Sequence, residues 1–180
     1  MLKLIFDICF ALIVLIILSP ILLLVVLLIL VVEQKSPFFF QKRIGLQKKE
    51  FEIYKFRTML NNEITPVGKV LRKTGIDELP QLINIIKGQM SFVGPRPLTD
   101  ADIKRLNWDD AYHENRWSVR PGIVGLAQLT PVCHKKMSWF YDQLYIKSHT
   151  IWLDFKILTA AALIPFVGKQ TVKNWIHGKK

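Results

Sequence analysis

Two consecutive carboxylates, Asp77 and Glu78, precede apolar residues at helical spacing, so we predict a helix over residues 78–87 with Asp77 as its N-cap. Backbone donors and the helix dipole favour an ionised carboxylate at such a position. An ionised aspartate can act as a nucleophile, and a neighbouring glutamate can hold a metal ion or move a proton. The same spacing is typical of a plain helix cap, and the pair alone favours that simpler interpretation.

Cations beside prolines favour the chemical interpretation. Arg96 lies between Pro95 and Pro97, and Arg120 precedes Pro121, so the backbone around both arginines is restricted. Guanidinium groups match phosphate oxygens two at a time, and a carboxylate that attacks a diphosphate needs cations, usually Mg²⁺ with arginine or lysine, to offset charge repulsion. The other cations that we group with the carboxylates are Lys55, Arg57 and Arg72.

Other familiar catalytic patterns are missing from the sequence. The four histidines have no ligand spacing, Ser91 has no GxSxG context, and neither a Walker loop nor a GxGxxG motif is present. We therefore interpret the histidines as structural or surface groups.

An apolar block near the N-terminus predicts a membrane helix. No charged residue occurs from Ile8 to Val32, and about 25 apolar residues can cross a bilayer core of roughly 30 Å. A simple spanning anchor is one interpretation. The other is a re-entrant helix that bends at Ser19-Pro20, because proline removes a backbone donor and positive residues such as Lys3 and Lys35 flank both ends of the block.

The rest of the chain predicts short elements around the cations. One strand that begins at Phe38 and a second strand over residues 51–58 are expected to form a small hairpin. Lys55 and Arg57 would then lie on one face of the second strand. Further predictions follow in chain order: a loop over 61–66, a helix over 67–73, a polar surface helix over 102–117, a turn over 121–125, helices over 139–147 and 151–167 with the latter ended by Pro165, and a membrane-surface tail over 169–180.

The net charge of +11 predicts an anionic partner. A phosphorylated small molecule, an anionic membrane surface and nucleic acid all fit a basic chain. No nucleic-acid-binding motif is recognisable, so we expect no nucleic acid partner. A non-catalytic basic membrane adaptor remains the alternative to an enzyme.

Several motifs together resemble the bacterial sugar transferase family, the small monotopic phosphoglycosyl transferases. The matching stretches are KFRTM at 55–59, DELPQL at 77–82, MSFVGPRP at 90–97, VRPGIVGLAQ at 119–128 and WLDFKIL at 152–158. Their order and spacing agree with the family from the N-terminal block to about Leu158. The chain resembles the minimal form, without the additional N-terminal spanning helices of larger members.

The resemblance implies a two-step transfer with Mg²⁺ as cofactor. Asp77 would attack the β-phosphate of a UDP-sugar and release UMP, and polyprenyl phosphate, such as undecaprenyl phosphate, would then take the phosphosugar from the aspartate. Glu78 would assist through the metal or through proton transfer, and either carboxylate could be the metal ligand. The side chains that would hold phosphate groups are Lys55, Arg57, Arg72, Arg96 and Arg120.

The resemblance also implies an architecture. We expect a helix-rich α+β fold with a re-entrant membrane helix over 1–35, broken at Ser19-Pro20, and a catalytic domain over 36–180 that carries the small hairpin, amphipathic interfacial helices and a C-terminal membrane-surface segment. The active site would lie on the cytoplasmic face of the bacterial inner membrane. The sequence leaves open whether the chain forms a homo-oligomer.

Two departures from the family bear on the sugar. The stretch between Met59 and Pro66 is shorter than in many relatives, and residues 129–134 replace an Asn-Gly-Arg segment that many relatives carry. Neither departure touches the carboxylate pair, so the sugar and the glycan pathway are not predicted.

Overall fold

A computed structural model describes residues 2–130 and 134–176 of the 180-residue chain, without the side chains of 165, 166, 169 and 172–176. The described residues divide into two compact units. Of the described residues, the first unit contains 2–42 and 52–88, and the second contains 43–51, 89–130 and 134–176. The predicted domain boundary between residues 35 and 36 stays a prediction.

Helices and two-stranded sheets make up the described residues. The α-helices are α1 (Leu2–Leu28), α2 (Pro66–Thr74), α3 (Leu82–Ile86), α4 (Asp100–Leu106), α5 (Lys135–Ser148) and α6 (Ile151–Ile176). The strands are β1 (Phe38–Ile44), β2 (Glu50–Phe56), β3 (Met59–Leu60), β4 (Glu63–Ile64), β5 (Ser91–Val93) and β6 (Gly122–Val124). They pair as β1 with β2, β3 with β4, and β5 with β6, which confirms the helix-rich α+β class.

Helix α1 is continuous through Pro20. The proline leaves the carbonyl of Ile16 without its usual helical donor, and the Ser19 hydroxyl donates to that carbonyl at 2.8 Å. One turn of wider π-helix, Ile29–Glu33, extends α1, and the whole segment Leu2–Glu33 is long and apolar enough to cross a membrane. The bend at Ser19-Pro20 and the re-entrant path stay predictions.

The first unit packs the end of α1 against the base of the hairpin. Val25 and Ile29 form a buried cluster with Phe56 of β2 and Leu71 of α2. The predicted pairing of β1 with β2 is confirmed, across a tight connection at Leu46–Lys48. This packing fixes the position of β2, and therefore of Lys55, relative to α1.

Two further predictions in this unit differ in part from the structure. Thr65 caps α2 by accepting from the backbone N–H of Gly68 at 2.9 Å, so the predicted helix over 67–73 is present one residue longer at each end. The predicted loop over 61–66 holds part of a small hairpin instead, because Asn61 and Asn62 adopt positive φ and let β3 pair with β4.

The prediction that Asp77 caps a helix over 78–87 is wrong. Gly75, with φ 74°, precedes a 3₁₀ helix over Ile76–Gln81, and α3 begins only at Leu82. Pro80 explains the difference, because it has no N–H for the carbonyl four residues earlier and disfavours α conformation in the residue before it. Asp77 therefore lies inside a 3₁₀ turn.

The second unit contains a short parallel strand pair that replaces the turn predicted over 121–125. Ser91 is aligned with Gly122, and Val93 with Val124. The backbones approach so closely that a Cβ atom on Gly122 would lie 2.1 Å from the nitrogen of Gly94. Two strands of three residues each carry too little periodicity to be recognised from sequence.

Gly122→Ala is expected to destabilise the second unit by several kcal/mol, of order 3 or more, because backbone atoms of a packed strand pair must move apart. Gly75→Ala is the control. A Cβ there meets nothing within 4 Å, and only its positive φ opposes it, at a cost of about 1 kcal/mol. Thermal unfolding of both variants in detergent tests this, and an equal loss in both would contradict the close approach.

The single polar helix predicted over 102–117 is two elements. Asn107, in the left-handed conformation, ends α4, and a 3₁₀ helix follows at Ala111–Ser118. The segment is not a surface helix either, because Trp108 is 1% exposed and packs with Trp117 and Trp139 in one buried cluster. Burial of these indoles overrides the polar pattern around them.

The two C-terminal helices are longer than predicted. Helix α5 extends the helix predicted over 139–147 at both ends, and α6 continues beyond Pro165 to Ile176 with a kink at Gly168. The backbone of the predicted membrane-surface tail is thus helical to Ile176, and residues 177–180 lie outside the described residues. Its contact with a membrane stays a prediction.

Candidate active site

The predicted site residues are divided between the two units. Asp77, Glu78, Lys55, Arg57 and Arg72 belong to the first unit. The remaining two arginines, Arg96 and Arg120, belong to the second unit. The structure therefore brings together the carboxylates and some of the predicted cations, and the roles assigned to all of these residues stay predictions.

The carboxylate pair is half-buried in the first turn of the 3₁₀ helix. The Lys55 ammonium group donates to Oε1 of Glu78 at 2.6 Å, and the two side chains are 17% and 26% exposed. This ion pair ties strand β2 to the carboxylate turn. Lys55 also lies close enough to Asp77 for its positive charge to lower the pKa of the Asp77 carboxyl.

Burial raises the pKa of Asp77 above its ordinary value of 3.8, and the negative charge of Glu78 raises it further. The charges of Lys55 and Arg72 oppose this shift without cancelling it. Asp77 is thus a carboxylate whose charge is poorly solvated and disfavoured by its neighbour. An added cation would relieve that unfavourable charge.

The raised pKa predicts that Asp77 costs stability at neutral pH. Between the unfolded value and the raised folded value, the folded state binds more protons, so stability falls as pH rises through this range. Asp77→Asn is therefore expected to raise the melting temperature at pH 7, and the gain should shrink toward zero at pH values below 3.8. Thermal unfolding at both pH values checks this, and a lower melting temperature at pH 7 would contradict it.

Two arginines of the first unit also hold the local backbone and side chains. Arg72 donates from Nε to the Thr58 hydroxyl at 2.9 Å. Arg57, which lies just beyond the end of β2, donates from Nε to the Ser36 carbonyl at 2.8 Å and from Nη2 to the Phe38 carbonyl at 3.1 Å. Each guanidinium keeps further N–H donors, so binding a phosphate group is compatible with both arrangements.

Arg96 is held by a buried ion pair that the sequence did not reveal. Arg116 donates from Nη2 to the Arg96 carbonyl at 2.7 Å and from Nε to Oδ2 of Asp142 at 2.9 Å. The side chains of Arg116 and Asp142 are only 3% and 4% exposed. No sequence spacing marks residues 116 and 142 as partners, whereas the structure makes Arg116 a support for the Gly-Pro-Arg-Pro segment.

The glycines of the second unit bring the segments that carry the other two arginines together. A Cβ atom on Gly94 would lie 2.4 Å from the Arg120 carbonyl oxygen. The N–H of Gly122 donates to the Pro95 carbonyl at 3.0 Å. The backbones that carry Arg96 and Arg120 are thus neighbours within this unit, as a shared phosphate-binding role requires.

The carboxylate pair suits Mg²⁺ better than it suits a metal ion whose ligands all come from protein side chains. Among the described residues, no group of three or more His, Cys, Asp or Glu side chains could hold a metal ion. Mg²⁺ often takes one or two carboxylates and completes its shell with water and substrate phosphate. Adjacent Asp77 and Glu78, whose mutual repulsion contributes to the raised pKa of Asp77, offer that donor set.

Comparison with known proteins identifies the family. Residues 1–167 match the family described as bacterial sugar transferase. The chain belongs to the bacterial sugar transferase family. This match covers the carboxylate pair and every cation predicted to accompany it.

Named members of the sugar transferase family are similar to most of the chain. It is 37% identical over 139 residues to the UDP-N-acetylgalactosamine-undecaprenyl-phosphate N-acetylgalactosaminephosphotransferase of Aeromonas hydrophila, covering 67% of this chain and 33% of that protein. It is 37% identical over 158 residues to the UDP-glucose:undecaprenyl-phosphate glucose-1-phosphate transferase of Klebsiella pneumoniae, covering 76% of this chain and 34% of that protein.

A relative of more similar size is the uncharacterized sugar transferase EpsL of Bacillus subtilis. It is 39% identical over 143 residues, which cover 68% of this chain and 67% of EpsL. The first two relatives are longer, and the aligned part of the chain spans about a third of their length.

Proposed function

We propose that the chain transfers a sugar phosphate from a UDP-sugar to polyprenyl phosphate, giving polyprenyl-diphosphate-sugar and UMP. The main support is the match of residues 1–167 to the bacterial sugar transferase family, in which relatives are named for transfer to undecaprenyl phosphate. That reaction would be an early membrane step in building a glycoconjugate or polysaccharide. Family membership favours an enzyme over the adaptor and nucleic-acid alternatives.

In the first step Asp77 is the nucleophile. A carboxylate oxygen of Asp77 attacks the β-phosphorus of the UDP-sugar, and the bond from that phosphorus to the bridging oxygen breaks. UMP departs with the electron pair, and the phosphosugar remains on Asp77 as an acyl phosphate. The half-buried position of Asp77 supports this role, because a carboxylate that water solvates poorly is more reactive toward phosphorus.

In the second step the lipid phosphate is the nucleophile. A phosphate oxygen of polyprenyl phosphate attacks the phosphorus held on Asp77, and the bond to the carboxylate oxygen breaks. Asp77 is released as a carboxylate, ready for another cycle. The prenyl tail stays in the bilayer, and the apolar helix Leu2–Glu33 would hold the enzyme at the same boundary.

The basic side chains offset the charge of the phosphates. Phosphate oxygens are held by Lys55, Arg57, Arg72, Arg96 and Arg120, and Lys55 also orients Glu78. Glu78 assists as a metal ligand or in proton transfer. Asp77 or Glu78 would hold Mg²⁺, which would neutralise phosphate charge when bound.

We place the active site at the cytoplasmic face of the bacterial inner membrane, with α1 re-entrant and bent at Ser19-Pro20. The Ser19 hydroxyl that bonds the Ile16 carbonyl makes a bend at this point tolerable in lipid. Single cysteines at positions 3 and 48, in a chain without its native cysteines, test the path. An impermeant reagent should label both from the same side of the membrane, and labelling from opposite sides would establish a spanning helix.

UMP release tests the proposed reaction. The purified chain in detergent, with polyprenyl phosphate and a panel of UDP-sugars, should release UMP from at least one sugar, and only with Mg²⁺ present. The panel also identifies the sugar. Absence of UMP with every donor, beside an active transferase as control, would favour the membrane adaptor.

A further inference from the structure

A cavity of about 660 Å³ in the second unit is lined by none of the residues that the proposed reaction uses. Its walls are aromatic and come from the region of the 3₁₀ helix Ala111–Ser118 and from α5. The ring centroids of His113 and Trp139 are 4.4 Å apart, and Tyr112 packs against both. The walls are completed by Trp108 and Phe140. A preformed cavity of this size is large enough for a small ligand or a lipid headgroup.

The charged lining of this cavity is entirely positive. Lys135, Lys136 and Lys147 of α5 line it, all three are exposed, and no carboxylate is among its lining residues. The salt bridges between described residues do not include these lysines. The acidic neighbour Asp110 is engaged with the His113 ring, with 2.5 Å between its Oδ1 and Nδ1. The lining therefore favours an anion.

Two further lining residues carry buried donors without a partner. The indole nitrogen of Trp108 and the amide nitrogen of Gln143 are both buried and make no hydrogen bond within the described residues. Trp108 is only 1% exposed, and a buried donor left unpaired is costly. These two donors have almost no accessible surface, so the three ammonium groups are the donors that a ligand rich in acceptor oxygens, such as a phosphate, would meet in the cavity.

Apolar side chains adjoin the basic lining on the same helix. Phe140 is 60% exposed and Leu144 is 41% exposed, although both are large hydrophobic residues. Lysine beside exposed aromatic and aliphatic residues is the composition of a helix at a lipid surface, where the ammonium groups meet headgroups and the apolar groups meet acyl chains.

We propose that this cavity binds the headgroup phosphate of an anionic membrane phospholipid, with Phe140 and Leu144 against its acyl chains. The lysines hold the phosphate, and the aromatic rings line the cavity around it. This site is independent of the proposed transfer reaction, so its test does not depend on turnover.

Native mass spectrometry of the full chain in a neutral detergent tests the site. An equimolar mixture of phosphatidylglycerol and phosphatidylcholine with the same acyl chains is added, and retained lipid is counted. The native chain should retain phosphatidylglycerol preferentially, because the choline cation of the other lipid repels the lysines. Lys135→Ala with Lys136→Ala should weaken that binding roughly 30-fold, since each basic side chain near anionic lipid contributes about a factor of five.

The matched control is Lys49→Ala with Lys104→Ala, which removes the same charge from the same unit outside the cavity and should retain the lipid. Gln143→Glu keeps all the lysines and places a carboxylate in the lining, so it should also weaken binding. Circular dichroism checks that each variant is folded. Equal retention of both lipids by the native chain, or equal losses in cavity and control variants, would overturn the proposal.

A nucleotide is the rival ligand for this aromatic and basic lining. UDP is therefore added to the native chain in place of the lipid. No UDP binding, or UDP binding that survives Lys135→Ala with Lys136→Ala, supports the phospholipid assignment. UDP binding that is lost in this double variant and displaces phosphatidylglycerol would make the cavity a nucleotide site and overturn the proposal.

Discussion

Asp77→Asn is expected to abolish turnover, with UMP release reduced by about a thousand-fold or more. An amide oxygen cannot form the acyl phosphate and leave again as a carboxylate, so both steps fail. Because the charge of Asp77 is disfavoured by burial and by Glu78, the variant should remain folded and be more stable at pH 7 than the native chain. UMP release and thermal unfolding, measured on one preparation, separate the loss of chemistry from the loss of fold.

The control for this variant is Asp100→Asn. It makes the same chemical change at an exposed carboxylate, which pairs with Lys104 one helical turn away in the second unit. Turnover should be unchanged by it. Near-normal UMP release from Asp77→Asn would remove the nucleophile assignment, whatever the outcome for Asp100→Asn.

Breaking the buried pair of Arg116 and Asp142 is expected to have the largest effect on stability. Asp142→Ala should cost about 3–5 kcal/mol, because it leaves a buried guanidinium without its partner. Burial raises the pKa of Asp142 and lowers the pKa of Arg116, so both charges depend on each other for compensation. Thermal or denaturant unfolding of the full chain in detergent measures the loss.

Activity should fall with this pair as well. Arg116 holds the Arg96 carbonyl, so a chain that survives the loss of Asp142 is expected to show a raised KM for the UDP-sugar more than a lowered kcat. Replacing both charges, Arg116→Met with Asp142→Leu, should restore much of the stability, because a well-packed apolar pair can substitute for a buried ion pair. Restored stability with a persistently raised KM would show that Arg116 positions Arg96.

The exposed pair of Lys104 and Asp100 is the matched control, at 2.7 Å with side chains 70% and 66% exposed. Asp100→Asn should produce no measurable change in unfolding, because solvent screens such a pair. If Asp142→Ala proved as mild as Asp100→Asn, the buried pair would not stabilise the second unit.

Local patterns were sufficient to predict much of the fold. The apolar run of α1, the aromatic strands β1 and β2 and the apolar spacing of α5 and α6 depend on neighbours within one element, and all of these are present. The carboxylate pair could also be found from sequence, since Asp77 and Glu78 are adjacent and precede a recognisable apolar pattern. Lys55 is among the cations predicted to accompany them, and its ion pair with Glu78 joins β2 to that turn.

Features that depend on distant partners could not be predicted. Strands β5 and β6 have three residues each and pair across a long separation, so their backbone approach at Gly94 and Gly122 is invisible to periodicity. Arg116 has the sequence context of a surface cation, and only tertiary packing buries it against Asp142. The apolar spacing predicts too early a start for α3, because the effect of Pro80 on the preceding turn outweighs that spacing.

The most direct measurement of the central claim is the mass of the protein after the first step alone. The full chain is incubated with Mg²⁺ and the UDP-sugar that it uses, without polyprenyl phosphate, then quenched and digested for mass spectrometry. We predict a sugar phosphate attached to the peptide that contains Asp77, released when polyprenyl phosphate is added before the quench. UMP release with no adduct, or with an adduct on a different residue, would contradict the account.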